Sequence, residues 1–279
     1  MIAFAYYGAK NGMIDSIAPY LPACDHYCEP FCGSMAMLLN RDPSPIETAN
    51  DLNGDVVNFF KVLKRRGKAL VAELALTPYS RTEFEEAWQD TDDDFERAKR
   101  FFIRVVMDIA KAGKRGDKSW SVNVKYLPGE HSYAPLNFLK KVHGLPEIVA
   151  RLRRVQLENR PAVKIIRKYD SKGTLFYCDP PHLHETRTSK ADYKFEMDYE
   201  SHVELAAALG GCKGMVALSG YDHPKMDELY PGWNKVKFKA KQVPMSNNAN
   251  PKKGTPRVTQ ECLWMNYDIN LINGQLKLF

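Results

Sequence analysis

The chain has 279 residues, of which 44% are hydrophobic and 27% charged, and its formal net charge at pH 7 is +6. It contains no apolar run close to the roughly 20 residues that cross a bilayer, which excludes a membrane-spanning protein. The N-terminus lacks the basic start and apolar core of a signal peptide, so we expect a cytoplasmic protein. The six cysteines should then be free thiols rather than a disulfide framework.

The first 60 residues alternate strand and helix patterns. Residues 25–30 are a predicted strand, followed by a turn and a helix that runs to Asn40. Residues 46–50 are a second strand, and a second helix begins near Asp51. Strands that alternate with helices predict a parallel sheet covered on both faces.

The sequence pattern and composition change between residues 67 and 165. Residues 82–89 and 92–115 have amphipathic helix patterns, and residues 114–135 are rich in Gly, Pro, Ser and Tyr. Residues 61–170 carry 24 Lys+Arg against 15 Asp+Glu. This balance indicates a surface that binds a polyanion, with a solvated helical face as the alternative. We therefore predict an inserted, mainly helical subdomain.

Strand patterns return in the last third of the chain. Residues 174–179 and 214–219 are apolar runs typical of buried strands, and residues 199–210 between them form a helix pattern. Residues 233–242 alternate strictly between polar and apolar side chains. Together with residues 261–269 they predict an antiparallel hairpin.

The most informative local motif is Asp179-Pro180-Pro181-His182, at the end of the predicted strand 174–179. The carboxyl edge of an open α/β sheet is where such folds bind ligands. The prolines stiffen the turn and leave its carbonyls free to accept hydrogen bonds. A carboxylate beside a rigid carbonyl suits an aromatic amine, whose nitrogen becomes more nucleophilic when both hydrogens are held. Taken alone, however, Asp-Pro-Pro is also a common turn.

Three more motifs come earlier. Residues 29–34 form a strand-to-helix turn in which Gly33 lets a ligand approach the backbone. Asp51 ends the second strand, where an acid reaches ribose hydroxyls, although it or Asn53 could equally be a helix N-cap. Residues 4–10 are typical of an edge strand and turn.

The four motifs together resemble a known family. Phe-x-Tyr-x-Gly-x-Lys (4–10), Glu-Pro-Phe-x-Gly-Ser (29–34), Asn-Asp-x-Asn (50–53) and Asp-Pro-Pro (179–181) occur in the order and spacing of the Dam-like class of S-adenosylmethionine-dependent N6-adenine DNA methyltransferases. The resemblance extends over nearly the whole chain. It implies an α/β, Rossmann-like class I methyltransferase core from residues 1–66 and 166–279, with a mainly helical target-recognition insertion at 67–165.

The resemblance also implies the activity and its partners. The enzyme would transfer a methyl group from S-adenosylmethionine to the exocyclic N6 of a flipped-out adenine in double-stranded DNA. It would act as a monomer or dimer in the cytoplasm of a bacterium or phage-infected cell. No metal is expected, because Cys24, Cys28 and Cys32 lack the usual metal-site spacing and His182 with His184 lacks a third ligand. The alternative for the three cysteines is an iron–sulfur cluster.

Residue roles follow from the matching positions. The residues expected to bind the cofactor are Tyr6, Lys10, Glu29, Phe31, Gly33, Asp51 and Asp179. Tyr6 would contact the adenine of the cofactor, Asp51 the ribose, and Phe31 with Gly33 the methionine portion. The residues expected to be catalytic are Asp179, Pro180, Pro181 and His182, with the Asp179 carboxylate and the Pro180 carbonyl as acceptors.

The sequence departs from the family at His182, where the usual residue is a tyrosine that stacks on the target adenine. An imidazole stacks with less area, and its charge changes near neutral pH, so we expect weaker or pH-sensitive activity. A non-catalytic DNA-binding relative is one alternative. Methylation of another amine (RNA adenine, cytosine N4 or a protein amide) is the other. Met35 also stands where the family often has glycine.

The predicted DNA contacts lie in two regions. Lysines 235, 237, 239 and 241 alternate with apolar residues and would form one charged strand face, beside DNA phosphates or simply in solvent. The insertion would read the sequence around the target, with Trp120 or Tyr133 filling the gap left by the flipped base. The DNA-binding candidates are Arg115, Lys118, Trp120, Lys125, Lys237 and Lys239.

Overall fold

The computed structural model describes residues 1–6, 8, 10–108, 120–122, 133–186, 195–239, 241–242 and 258–270. The strands within these ranges are β1 (His26–Glu29), β2 (Ile46–Asn50), β3 (Val155–Glu158), β4 (Thr174–Cys178), β5 (Met215–Tyr221), β6 (Asn234–Lys237), β7 (Lys241–Gln242), β8 (Val258–Thr259) and β9 (Glu261–Met265). The α-helices are α1 (Ile14–Ile17), α2 (Ala36–Leu39), α3 (Gly54–Leu76), α4 (Arg81–Glu86), α5 (Asp94–Met107), α6 (Ala134–Leu152), α7 (Ala162–Tyr169), α8 (Tyr199–Gly210) and α9 (Pro224–Leu229). None of these helices combines the length and the apolar character needed to span a membrane.

Seven strands form one sheet in the order β3-β2-β1-β4-β5-β9-β6. The first five are parallel to one another, whereas β9 runs antiparallel to both β5 and β6. The chain builds outward from β1 to β3 and then returns to add β4 and β5 on the other side of β1. This reversal makes the gap between β1 and β4 the topological switch point, where open α/β sheets bind ligands. The α/β prediction and its Rossmann-like sheet are confirmed.

The sheet is buried on both faces, as strand β4 illustrates. Leu175 and Tyr177 belong to one apolar cluster, and Phe176 and Cys178 belong to the other. This alternation follows from the two-residue period of a strand. Helices α3, α5 and α6 contribute to the first cluster, and α7 and α8 contribute to the second. The result is a three-layer arrangement with the sheet in the middle.

Helix α3 and strand β3 connect the predicted insertion, residues 67–165, to the rest of the fold. Helix α3 continues through residue 67, with one non-helical residue at Arg66, where its axis kinks. Strand β3 lies within the range 67–165 but pairs with β2 in the central sheet. Helices α5 and α6 pack against α3 in the same apolar cluster as the sheet. The insertion as a separate subdomain therefore stays a prediction.

The C-terminal strands confirm the predicted hairpin, since β6 pairs antiparallel with β9. The strand over residues 233–242 is not continuous, however. Strand β6 ends at Lys237, and residues 241–242 form β7, which pairs with β8 in a separate two-stranded sheet.

Candidate active site

A cleft of about 900 Å³, part of which is open to solvent, lies at the carboxyl edge of the sheet beside the switch point. The turns after β1, β2 and β4 form its walls. It is lined by all seven residues predicted to bind the cofactor: Tyr6, Lys10, Glu29, Phe31, Gly33, Asp51 and Asp179. Further lining residues, which were not predicted to bind the cofactor, include Asn53, Tyr177, Phe195 and Met197. Sequence motifs far apart in the chain thus meet at one cleft.

Gly33 shapes the turn after β1. Its φ of +46° is in the left-handed region, and a Cβ at this position would lie 3.3 Å from the Tyr6 ring. Its backbone N–H donates to Asp51 Oδ2 at 2.9 Å, which joins the first two strand ends. Met35, at the position where the family often has glycine, also has a positive φ of 56° and is buried. This turn therefore uses backbone conformations that glycine adopts most easily.

Asp51 and Asn53 divide the two roles proposed for the second motif. Asn53 is the N-cap of α3, because its side chain accepts from the Asp55 N–H at 3.1 Å. The Asp51 carboxylate instead lines the cleft and accepts from the backbone N–H of Asn53 at 2.7 Å. Burial raises the pKa of Asp51, and the hydrogen bonds from the backbone N–H groups of Asn53 and Gly33 oppose this shift. Two oxygens at the cleft wall suit a vicinal diol.

Tyr6 is anchored to the same corner. Its hydroxyl accepts a hydrogen bond from Asn53 Nδ2 at 2.9 Å, and its ring lies beside Gly33. Burial and the nearby Asp51 carboxylate raise the pKa of Tyr6, so the phenol stays neutral at physiological pH. A neutral, fixed aromatic ring at the wall of a cleft suits the planar face of a purine.

Glu29 ends β1 at the base of the cleft and is 2% exposed. Its carboxyl group accepts from the Tyr27 hydroxyl at 3.0 Å. Burial raises the pKa of Glu29 to about 8, against the opposing effect of this hydrogen bond and of Arg41. An acid of this kind is neutral near pH 7 and gains a charge readily when a cation approaches it.

Asp179 follows β4 directly and lies at the centre of a buried polar cluster. Its Oδ1 accepts from Lys10 Nζ at 2.7 Å and from Ser219 Oγ at 2.8 Å. Lys10 Nζ also lies 3.3 Å from Glu261 Oε1 and 3.3 Å from His182 Nε2. Asp179, His182 and Glu261 place one ligand atom each within 4.8 Å of one another, as a metal site would require. The Lys10 ammonium, however, already occupies the cation position between them.

A second cavity of about 610 Å³ adjoins the cleft on the far side of this cluster. It shares Gly8 and Lys10 with the cleft, and its other walls include His182, Tyr221 and Glu261. Thus the Asp-Pro-Pro-His motif is divided among three spaces. Asp179 and Pro181 line the cleft, Pro180 and His182 line a smaller pocket, and His182 also lines the second cavity.

The motifs did not predict Ser219, Tyr221 or Glu261. Ser219 and Tyr221 lie at the end of β5, which pairs in parallel with β4. Their position at the end of a predicted strand was therefore a signal that could have placed them near the site. Glu261 reaches the site through the pairing of β9 with β5, in which it is the register partner of Tyr221. The sequence carried no local signal for that pairing.

The residues predicted to bind DNA are described only in part. Arg115, Lys118 and Lys125 lie outside the described residues. Trp120 is half-buried, with its ring 5.8 Å from the Tyr79 ring and the Arg81 guanidinium 4.8 Å from its centre.

Two of the lysines expected to form a charged face over residues 235–241 are engaged in ion pairs with aspartates. Lys235 binds Asp222 and Asp227, and Lys237 binds Asp222, each at 2.6 Å. Lys239 is exposed and lines the second cavity.

Comparison with known proteins agrees with this geometry. Residues 6–243 match the family model of the D12 class N6 adenine-specific DNA methyltransferase. The chain is 26% identical over 246 residues to the DNA N-6-adenine-methyltransferase of Escherichia phage P1; the match covers 81% of this chain and 30% of the phage protein. It is 24% identical over 262 residues to a DNA adenine methylase of Vibrio cholerae and 26% identical over 259 residues to that of Escherichia coli K12. Each of these two matches covers 88% of this chain and 90% of the relative.

Proposed function

The chain belongs to the D12 class of N6 adenine-specific DNA methyltransferases, and from this premise we propose how its two cavities divide the reaction. The cleft binds S-adenosylmethionine, and the second cavity receives an adenine flipped out of double-stranded DNA. The observation that carries the proposal is the position of Asp179 between the two spaces. Its carboxylate lies at the wall of the cleft and within 4.8 Å of groups that line the second cavity.

The cleft suits the proposed cofactor in the chemistry of its lining. Tyr6 offers an aromatic face for the adenine, and Asp51 offers acceptors for the ribose hydroxyls. Phe31 and Gly33 bound the methionine portion, where the buried acid Glu29 faces a cationic ligand. When bound, S-adenosylmethionine supplies an electrophilic methyl group on a positively charged sulfur.

The residues of the chain prepare the nucleophile. An adenine N6 is a poor nucleophile because its lone pair is delocalised into the ring. The Asp179 carboxylate and the Pro180 carbonyl accept its two hydrogens and favour a tetrahedral nitrogen with an available lone pair. Asp179 then stabilises the positive charge that develops on nitrogen, and the surplus proton on N6 passes to solvent water after the transfer. Ser219 keeps the carboxylate oriented by its 2.8 Å hydrogen bond.

DNA would approach from the side of the second cavity. Lys239 is exposed at this cavity and suits a phosphate next to the target nucleotide. Lys237 would contribute less, because Asp222 already neutralises it. The remaining contacts are proposed from the basic insertion, with Arg115, Lys118, Trp120 and Lys125 as candidates. Since the relatives come from bacteria and a phage, we propose that the protein acts on DNA in the cytoplasm of a bacterium.

One experiment tests the reaction as a whole. Purified protein is incubated with methyl-labelled S-adenosylmethionine and, separately, with unmethylated double-stranded DNA, RNA or protein, and the products are digested and identified by mass spectrometry. We expect label as N6-methyladenine in the DNA alone. Label confined to RNA or protein, or present as N4-methylcytosine, would overturn the proposal. Single-molecule sequencing of the product DNA then identifies the recognition sequence.

His182 favours a second candidate function, a relative that binds cofactor and DNA without transferring the methyl group. The residue replaces the tyrosine of the usual motif and is bound on its edge by Lys10. Binding of S-adenosylmethionine by calorimetry, together with no N6-methyladenine after long incubation, would support this candidate over the enzyme.

A further inference from the structure

The aromatic residues around the second cavity are arranged in two layers. His182 is only 6% exposed, and its ring centre lies 4.3 Å from that of Tyr221 with an angle of 36° between the planes. Its Nε2 lies 3.3 Å from Lys10 Nζ, so one ring edge is also engaged. Tyr221 is half-buried and lines the same cavity. The histidine is therefore the inner layer and the tyrosine the outer one.

This order decides which ring can stack on a base. Stacking requires an accessible ring face, and the imidazole of His182 has almost none. The larger phenol of Tyr221 retains accessible surface at the cavity wall.

Tyr221 is also correctly placed along the sheet. It ends β5, and β5 pairs in parallel with β4, whose end carries Asp179. Its register partner on β9 is Glu261, which together with Asp179 and His182 forms the group whose ligand atoms lie within 4.8 Å of one another. A base resting on Tyr221 would therefore have its edge close to the acceptor group of the active site.

We propose that Tyr221, rather than residue 182, supplies the aromatic face on which the target adenine stacks, and that His182 is a positioning residue behind it. This inference rests on the proposed function and refines it. The residue at 182 replaces the motif tyrosine, and a tyrosine on the neighbouring strand takes over the contact. The substrate class is a neutral purine ring, recognised by stacking at Tyr221.

The test compares Tyr221→Leu and Tyr221→Gln with Tyr221→Phe and with His182→Leu. Steady-state kinetics on unmethylated DNA gives kcat and KM separately for DNA and for S-adenosylmethionine. Loss of one base stack should lower kcat/KM for DNA about 10- to 100-fold in the Leu and Gln variants, while KM for the cofactor stays within about threefold. Tyr221→Phe should retain at least about a third of the wild-type value, and His182→Leu should lose less than Tyr221→Leu.

A spectroscopic readout separates stacking from general damage. A duplex with 2-aminopurine at the target position of the recognition sequence is titrated with each variant, because stacking quenches the fluorescence of this base. With wild type and Tyr221→Phe the flipped base should stay quenched, and with Tyr221→Leu or Tyr221→Gln its fluorescence should rise severalfold. Leucine and glutamine pack differently at position 221, so the test can be completed if either Tyr221→Leu or Tyr221→Gln folds. Tyr169→Leu, a change on α7 beside His26, is the matched control and should behave as wild type.

The outcomes test the role of Tyr221 separately from the proposed methyltransferase activity. A wild-type protein without methyl transfer would overturn both. An active wild type with undiminished kcat/KM in Tyr221→Leu, and a larger loss in His182→Leu, would overturn the role of Tyr221 alone.

Discussion

The ammonium of Lys10 lies 2.7 Å from a carboxylate oxygen of Asp179, and the two side chains are only 6% and 16% exposed. The same ammonium lies 3.3 Å from Glu261. One lysine thus allows two carboxylates to approach each other in a partly desolvated space. Such pairs add little net stability when intact, but loss of one partner leaves a buried charge uncompensated.

We expect Lys10→Met to destabilise the protein by about 3–5 kcal/mol, as is typical when one partner of a buried ion pair is removed. Urea denaturation monitored by circular dichroism measures this loss. The double variant Lys10→Met/Glu261→Gln should recover part of it, because one of the two negative charges is gone. The control is Lys61→Met, since the Lys61–Asp94 pair is 43% and 57% exposed and such pairs contribute about 1 kcal/mol or less. Equal stability losses in Lys10→Met and Lys61→Met would contradict this account.

Glu29 should make stability depend on pH. Burial raises the pKa of Glu29 from 4.5 to about 8 in the folded protein. Between these two values the folded state binds one proton more than the unfolded state, so stability falls as pH rises through this window. Glu29→Gln removes the titration. Its melting temperature relative to wild type should therefore increase from pH 5 to pH 8.

The comparison for Glu29 is Glu204→Gln, a change at an exposed position of α8. Its melting curve should run parallel to wild type over the same pH range. If Glu29→Gln also runs parallel to wild type, burial does not hold Glu29 in its neutral form.

Most of the sheet could be predicted because its signals are local. The run at residues 174–179 is mainly apolar and corresponds to β4, whose five residues, Thr174–Cys178, are all buried. Residues 199–210 were predicted as a helix and form α8. Helix α6 was not predicted, because Gly144 and Pro146 interrupt its pattern. Packing of Phe138, Val142 and Leu145 into the core outweighs these breakers.

The same distinction applies to the site: residues in local motifs could be predicted, and residues brought in by long-range strand pairing could not. Tyr6, Asp51 and Asp179 belong to motifs at turns and strand ends, so the topology of a parallel sheet brings them to one edge. The antiparallel insertion of β9 between β5 and β6 is a long-range pairing that brings Glu261 to Tyr221. No motif at residue 182 reveals that its ring is covered by Tyr221. That relationship becomes visible only in three dimensions.

Gly33 allows a test of the cofactor cleft. In Gly33→Ala the positive φ costs roughly 1–2 kcal/mol for a residue with a Cβ, and the new methyl group would lie 3.3 Å from the Tyr6 ring. We expect affinity for S-adenosylmethionine, measured by calorimetry, to fall about tenfold or more. Gly144→Ala is the matched control. Its Cβ meets no atom within 4 Å, and alanine is favoured in a helix. Similar cofactor affinity in both variants would show that the turn at Gly33 does not bound the binding site.

Asp179→Asn tests the central claim most directly, because it keeps the size of the side chain while removing the charge between the two cavities. Wild type and variant are incubated with unmethylated double-stranded DNA at saturating S-adenosylmethionine, and N6-methyladenine is quantified by mass spectrometry. The variant should form it at least about 100-fold more slowly. Its melting temperature should fall less than that of Lys10→Met, because Glu261 still lies 3.3 Å from Lys10. Formation of N6-methyladenine by Asp179→Asn at the wild-type rate would contradict the assignment of Asp179 as the group that activates the adenine amine.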